Sequence, residues 1–404
     1  MAGATTPRIQ VVGIGADGWE GVPPRIRSTV LKAAVVLGGR RHLAMLPDVP
    51  GQRRELWPSP LRPGLLAVIG SLADPGGDVV ALASGDPLVS GIGTTLIELF
   101  GPDAVTVTPA VSSVALARAA LGWSAESCAV VSVTASDPSV VLRELAPGRR
   151  VLVLSADETT PSAVASLLAD AGYGASEMTV LSDLGSDRFD RCSATAGTWD
   201  ARVSRLNIIA LRLAGPRVGG WVAGLPDGAF EHDGQLTKRD LRASALARLA
   251  PAPGEHLWDV GAGAGSVGIE WMRAHPSCTA SAVEASAERA ARIGRNAARL
   301  GVPGLQVVTG RAPAALAGLP APDAIFVGGG ASDPGVLDTC LAALPPGSRL
   351  VAHGVTLDTE RIFADCYSAH GGELTRIAVE TAAPLGSLTG WTPSRTVTQW
   401  TLIR

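Results

Sequence analysis

Short, uniformly apolar runs recur along the chain: IQVVGIG, VVALAS, RVLVLS, LNIIALRL, HLWDVGAG, LQVVTG, DAIFVGGG and RLVAHGV. Between them lie longer Ala/Leu/Arg-rich segments with helical spacing. Runs without polar alternation predict strands covered on both faces, as in a parallel sheet flanked by helices. Their alternation with helices predicts an α/β protein. The last residues, TVTQWTLIR, do alternate and predict a final edge strand. The pattern breaks in GPRVGGWVAGLPDGAFEH, where Gly and Pro interrupt any period. This predicts domains at 1–214 and 232–404 joined by a linker at 215–231. Just beyond, Thr237 is placed to cap a helix from Lys238, with Asp240 at its third position.

Composition narrows the picture. A chain of 404 residues fits two to three domains. With 46% hydrophobic and 18% charged residues it can build ordinary cores. A net charge of −3 argues against a nucleic-acid partner bound by a broad basic face. Lys32 and Lys238 are the only lysines, so the positive charge is nearly all arginine. Cysteines 128, 192, 278, 340 and 366 form no C-x-x-C pair, which predicts reduced thiols and no metal site. The first strand begins too early for a signal peptide, and no apolar run reaches the ~18 residues of a membrane span. A cytoplasmic protein without a membrane partner is expected.

The chemistry concentrates at glycine-rich turns. LWDVGAGAGSVGIEW (257–271) reads as strand, turn and helix start. Gly263, Gly265 and Gly268 satisfy the dinucleotide spacing, and Glu284 ends the next strand, TASAVE. A P-loop is excluded, because no Gly-Lys-Ser/Thr follows. Asp259 ahead of the glycines would repel a pyrophosphate but suits an ammonium group, which favours S-adenosylmethionine over a nicotinamide dinucleotide. Glu284 suits the ribose hydroxyls of either. Gly328, Gly329 and Gly330 leave room for a broad, flat substrate. His232, His353 and Arg395 are candidate catalytic groups by chemical type.

From GQLTKRDLRA through LWDVGAGAGSVGIEW, GRAPAAL, IFVGGG and RLVAHGVTLDTE, the second half resembles the C-terminal part of the precorrin-6Y C5,15-methyltransferase (decarboxylating) family of the cobalamin pathway. The resemblance implies a Rossmann-like class I methyltransferase fold. It places S-adenosylmethionine against Thr237, the turn Gly261, Ala262, Gly263, Ala264 and Gly265, then Glu284 and Ala312; Asp259, from its place ahead of the glycines, and Arg311, next to Ala312, are expected beside them. It also implies a tetrapyrrole substrate rich in carboxylates, which Arg239, Arg242 and Arg311 could clamp. For Arg239 and Arg242 a solvated helix face is the better account.

The first half carries IQVVGIGADG, with Gly13, Gly15 and Gly18 at the dinucleotide spacing, but WEGVPP follows and the next strand ends without an acid. Gly85-Asp86-Pro87 follows another strand, and PAVSS (109–113) opens a Ser-capped helix. Together with GGRRHL (38–43), these resemble the tetrapyrrole (precorrin) methylase family over 8–213. The resemblance implies a two-lobed fold with a second S-adenosylmethionine against Gly13, Gly15, Gly85, Asp86, Pro87, Ala110, Ser112 and Ser113. The family's Ser-x-His-Gly-Arg is absent, since Thr134, Ala135 and Ser136 stand in place of His, Gly and Arg. That leaves open a first half that only binds or dimerises. The resemblance implies C-methylation at carbons 5 and 15, decarboxylation of the ring C acetate and self-association. A metal-free or a cobalt-bearing substrate both remain open.

Overall fold

The computed structural model describes residues 8–71, 79–217 and 220–404. Its contacts divide the chain into two units. The first is 1–138 with 147–215, and the second is 139–146 with 216–404.

The first unit holds two five-stranded sheets. One is wholly parallel, in the order β3-β2-β4-β1-β5. Its strands are β1 (Ile9–Ile14), β2 (Val35–Gly38), β3 (Arg53–Leu56), β4 (Val79–Ser84) and β5 (Val105–Thr108). Central β1 and β4 are buried almost end to end, as their unbroken apolar runs predict. The other sheet is mixed, in the order β6-β7-β10-β8-β9. It is built from β6 (Ala129–Ser132), β7 (Arg150–Leu154), β8 (Glu177–Ser182), β9 (Asp190–Thr195) and β10 (Asn207–Arg212). Only β6 and β7 are parallel there.

The second unit is built on a seven-stranded sheet, β13-β12-β11-β14-β15-β19-β16. Its strands are β11 (His256–Val260), β12 (Thr279–Glu284), β13 (Gln306–Thr309), β14 (Ala324–Val327), β15 (Arg349–Gly354), β16 (Glu373–Ile377) and β19 (Val397–Ile403). A separate hairpin joins β17 (Glu380–Leu385) to β18 (Leu388–Pro393). Strand order runs outward from β11 in both directions, so the crevice beyond β11 and β14 is a topological switch point, where open α/β sheets bind ligands.

Three expectations are corrected. β19 is not an edge strand: it lies antiparallel between β15 and β16 and is buried along nearly its whole length. Its polar residues Thr398, Gln399 and Thr401 are therefore inside. The segment 215–231 is not a free linker over its second part, since Leu225 and Phe230 lie in the second unit's core. The helix predicted from Lys238 spans Arg239–Leu249 with Lys238 at its N-cap and no side-chain cap. Thr237 is thus no cap. Its carbonyl instead accepts from Arg242 Nη1.

A candidate cofactor and substrate cavity

At the β11/β14 crevice a cavity of about 620 Å³ opens, wide enough for a nucleoside with part of a second ligand. Its wall begins with the turn after β11. Gly261 and Gly263 have φ of +69° and +59°, which favour glycine. A Cβ on Gly261 would stand 2.7–2.8 Å from backbone atoms of Gly329, so two loops meet backbone to backbone. Gly263 is as tightly placed against the carbonyl of Gln235, at 2.9 Å.

Glu284, at the end of β12, is 6% exposed and lines the cavity. Its Oε2 accepts from Gly263 N at 2.9 Å and its Oε1 from Ser286 N at 2.9 Å. An ionised carboxylate offers ~four acceptor positions, so capacity remains for two hydroxyls. Thr237, Ala262, Arg311, Ala312, Gly328, Gly329, Gly330, His353 and Arg395 line the same cavity. Lys238, Arg311 and Arg395 are exposed and Arg289 is half-buried, so the wall carries four cations, of which Lys238, Arg311 and Arg289 already face Asp227, Asp333 and Asp233.

His353 is buried, with Nε2 2.9 Å from Gln399 Oε1 across the β15/β19 register. Because that oxygen only accepts, Nε2 carries the proton. Burial lowers its pKa, outweighing the Gln399 bond that raises it and adding to the effect of nearby Arg248. The ring is neutral near pH 7.

Other expected residues lie elsewhere. Asp259 is 1% exposed and absent from the cavity wall. Its Oδ2 accepts from Gly268 N at 2.9 Å in the first turn of the helix Ser266–Ala274, while Oδ1 has no partner. Burial pushes its pKa up to about 7, the Gly268 bond opposes this, and the Glu284 charge adds to it. Asp259 thus props the turn from behind the cavity wall. Ala264 is buried, and Gly265 packs on Ile293, where a Cβ would stand at 2.7 Å. Both shape the turn without lining the cavity. His232 is exposed, with Nδ1 accepting from Gly234 N at 3.1 Å, outside the wall.

Sequence reasoning missed the role of Arg242. It is 0% exposed, so the solvated-face reading is corrected. Its Nε donates to Glu270 Oε1 at 2.5 Å, Nη1 to Asp227 and to the Thr237 carbonyl, and Nη2 to the Leu225 carbonyl. Glu270 also accepts from Gly224 N and Leu225 N. One buried pair thus holds both 224–227 and the cavity loop at Thr237. No local spacing announces it, because the partner lies 28 residues away on another helix. Arg239 is exposed, as a helix face would have it.

In the first unit three loops converge beyond β1, β4 and β5. A Cβ on Gly13 would stand 2.0 Å from the Gly85 carbonyl oxygen and 2.7 Å from Ala110 N. Gly85 has φ +55°, and its carbonyl accepts from Ala110 N at 3.1 Å. Asp86 Oδ1 accepts from Leu88 N, which shapes the turn around Pro87. Ser112 caps the helix Ser113–Leu121 by accepting from Ala115 N at 3.1 Å. The side chain of Asp17 occupies the space beside Gly15. The structure therefore assembles Gly13, Gly85 and Ala110 at one point. Thr134, Ala135 and Ser136 are exposed, and Thr134 Oγ1 lies 2.9 Å from Ser132 Oγ.

In the second unit a ribose-type acid, Glu284, is tied to the glycine turn through Gly263 N and faces the cavity. The fold and cavity there define a methyltransferase. The comparisons agree over both halves. Residues 228–404 match the family described as precorrin methyltransferase domain, and residues 8–198 the tetrapyrrole (corrin/porphyrin) methylases. Precorrin-6Y C(5,15)-methyltransferase (decarboxylating) of a Sinorhizobium species is 44% identical over 399 residues, 98% of this chain and 96% of that protein. Two shorter proteins of Salmonella typhimurium also match. Its cobalt-precorrin-7 C(5)-methyltransferase is 32% identical over 41% of this chain and 80% of its own length. Its cobalt-precorrin-6B C(15)-methyltransferase (decarboxylating) is 32% identical over 38% of this chain and 80% of its own length. The chain belongs to the precorrin-6Y C(5,15)-methyltransferase (decarboxylating) family.

Proposed function

We propose that this chain methylates a precorrin at carbons 5 and 15 and removes carbon dioxide from the ring C acetate, with one S-adenosylmethionine site in each half. The cavity at the β11/β14 crevice carries the reading, because it joins a ribose-type acid, a glycine cradle and a cationic wall in one space. S-adenosylmethionine supplies an electrophilic methyl group on a sulfonium sulfur.

The residues present suit that cofactor. Glu284 accepts the ribose hydroxyls, and the close Gly261–Gly329 approach leaves main-chain groups uncovered at the wall. Thr237 and Ala312 close the sides. In the first unit Gly13, Gly85 and Ala110 form the corresponding cradle, with Gly15, Asp86, Pro87, Ser112 and Ser113 setting its loops.

The protein mainly aligns the reacting atoms and excludes water, since the electron-rich ring carbon is supplied by the substrate. Lys238, Arg311 and Arg395 clamp its carboxylates. The tetrapyrrole π system takes the electron pair released as carbon dioxide leaves. The carbon that loses carbon dioxide takes up one proton from solvent in its place; His353, neutral and with its Nε2 proton held by Gln399, can relay that proton by accepting it at Nδ1 and passing it on. The family resemblance assigns carbon 5 to the first half and carbon 15 with decarboxylation to the second.

Mass spectrometry of the product tests this. The full chain with S-adenosylmethionine and the metal-free precorrin should add two methyl groups and lose one carbon dioxide. One methyl group together with the loss would leave the first half inactive, as the Thr134–Ser136 departure allows. Reaction of the cobalt-bearing precorrin alone would move the substrate assignment.

A further inference from the structure

The motif Gly38-Gly39-Arg40-Arg41-His42-Leu43 has no part in the proposed chemistry, yet it lies beside the first site. β2 ends at Gly38, and Gly39 is the N-cap of the helix Arg40–Met45. A Cβ on Gly38 would stand 3.3 Å from the side chains of Leu43 and Leu82, so glycine lets this helix start close against β4. That packing buries His42 to 6% exposure and brings Arg41 to Ser84, the last residue of β4.

Arg41 Nη2 donates to Ser84 Oγ at 3.0 Å and lies 3.0 Å from His42 Nε2. A guanidinium has donors only, so His42 Nε2 accepts. Ser84 Oγ is 3.3 Å from the same nitrogen. Burial first, and then the Arg41 charge, lowers the His42 pKa to about 4, which keeps the imidazole a neutral acceptor. The rest of the Arg41 fork is free. The residue is exposed, and its Nε and Nη1 meet no protein acceptor among the described residues. Partial burial lowers the Arg41 pKa most, Asp183 favours its charge and Arg188 opposes it, both through space, with no ion pair to Arg41 among the described residues. Ser84 directly precedes Gly85, whose carbonyl is the point where Gly13 and Ala110 converge.

We propose that Arg41 is a substrate-binding residue of the N-terminal site, gripping one carboxylate of the tetrapyrrole beside the cofactor loops, with His42 and Ser84 positioning its guanidinium. The inference rests on the reading of the first half as a methyl-transfer site. It supplies a cation for that site where residues 134–136 have none. It also accounts for the buried His42. A fixed acceptor aligns the fork before substrate arrives, so less freedom is lost on binding.

The test uses the full chain, with carbon 5 and carbon 15 methylation followed separately in the product. Arg41→Ala should raise KM for the tetrapyrrole at carbon 5 by roughly tenfold to a hundredfold, the loss expected for one charge-assisted contact. The kcat at carbon 5 should change little, and titration with S-adenosylhomocysteine should still report two sites. The retained cofactor site of the first half serves as the folding control for that unit, and carbon 15 methylation by the second half should be unchanged. Arg41→Lys should recover part of the loss. His42→Leu should raise KM by a smaller factor, and His42→Gln, which keeps an acceptor, should restore it. An unchanged KM in Arg41→Ala overturns the inference alone. So does loss of a cofactor site in place of substrate affinity. A wild-type chain that adds no methyl group at carbon 5 overturns the reading of the first half and this inference with it.

Discussion

The two glycine turns use the same device on different sheets. In the first unit Gly13 of β1 meets Gly85 beyond the adjacent strand β4. In the second, Gly261 beyond β11 meets Gly329 beyond the adjacent strand β14. Each contact is backbone on backbone and tolerates no side chain. The difference lies on the other flank. At the end of β12 the second turn has Glu284, bonded to Gly263 N, whereas beyond β5 the first has the amide of Ala110, bonded to Gly85. A glycine contact thus makes a cradle, and a ligand class becomes legible only when a charged group is tied to it.

Breaking the charged flank should have the largest effect. Glu284→Ala should reduce carbon 15 methylation by at least ~10³-fold, since two ribose contacts and the bond fixing Gly263 go together. Carbon 5 methylation should persist, as product mass spectrometry would show. Retained carbon 15 activity would remove Glu284 from the site.

The cradle itself is tested by Gly13→Ala. A Cβ 2.0 Å from the Gly85 oxygen must push the loops apart. Carbon 5 methylation should fall ~10²-fold while carbon 15 methylation continues. An active variant would show that the approach of Gly13 to Gly85 is incidental.

A third change leaves both turns intact and removes their support. Arg242→Ala strands Glu270 as a buried, unpaired carboxylate and should cost about 3–5 kcal/mol. Denaturant unfolding should show the loss in the second unit, with the first unit's transition unmoved.

The smallest effect is expected at Asp259. Its pKa is raised above the unfolded value of 3.8 to about 7. A raised carboxyl contributes stability that is full below pH 3.8 and is lost as pH rises through 7. Asp259→Asn should therefore be the more stable form above pH 7, by roughly 1–3 kcal/mol after the buried amide's own cost. Affinity for S-adenosylhomocysteine should stay within ~3-fold, because Asp259 does not line the cavity. A large loss of affinity would return Asp259 to the ligand set.

The amino-acid sequence alone determined the α/β class, the positions of both glycine turns and the acid that closes β12. Each is encoded within a few residues: an apolar run sets a doubly covered strand, a positive φ calls for glycine, and an acid ends a strand. The tertiary structure decided the company these residues keep. It turned Asp259 away from the cavity and onto Gly268, buried Arg242 against Glu270, and set Arg41 on Ser84. It also placed β19 inside the sheet, where Gln399 reaches His353. These pairings join residues 9 to 46 positions apart. They depend on strand order and depth of burial, which take shape only when distant segments close on one another, and a local pattern carries no record of either.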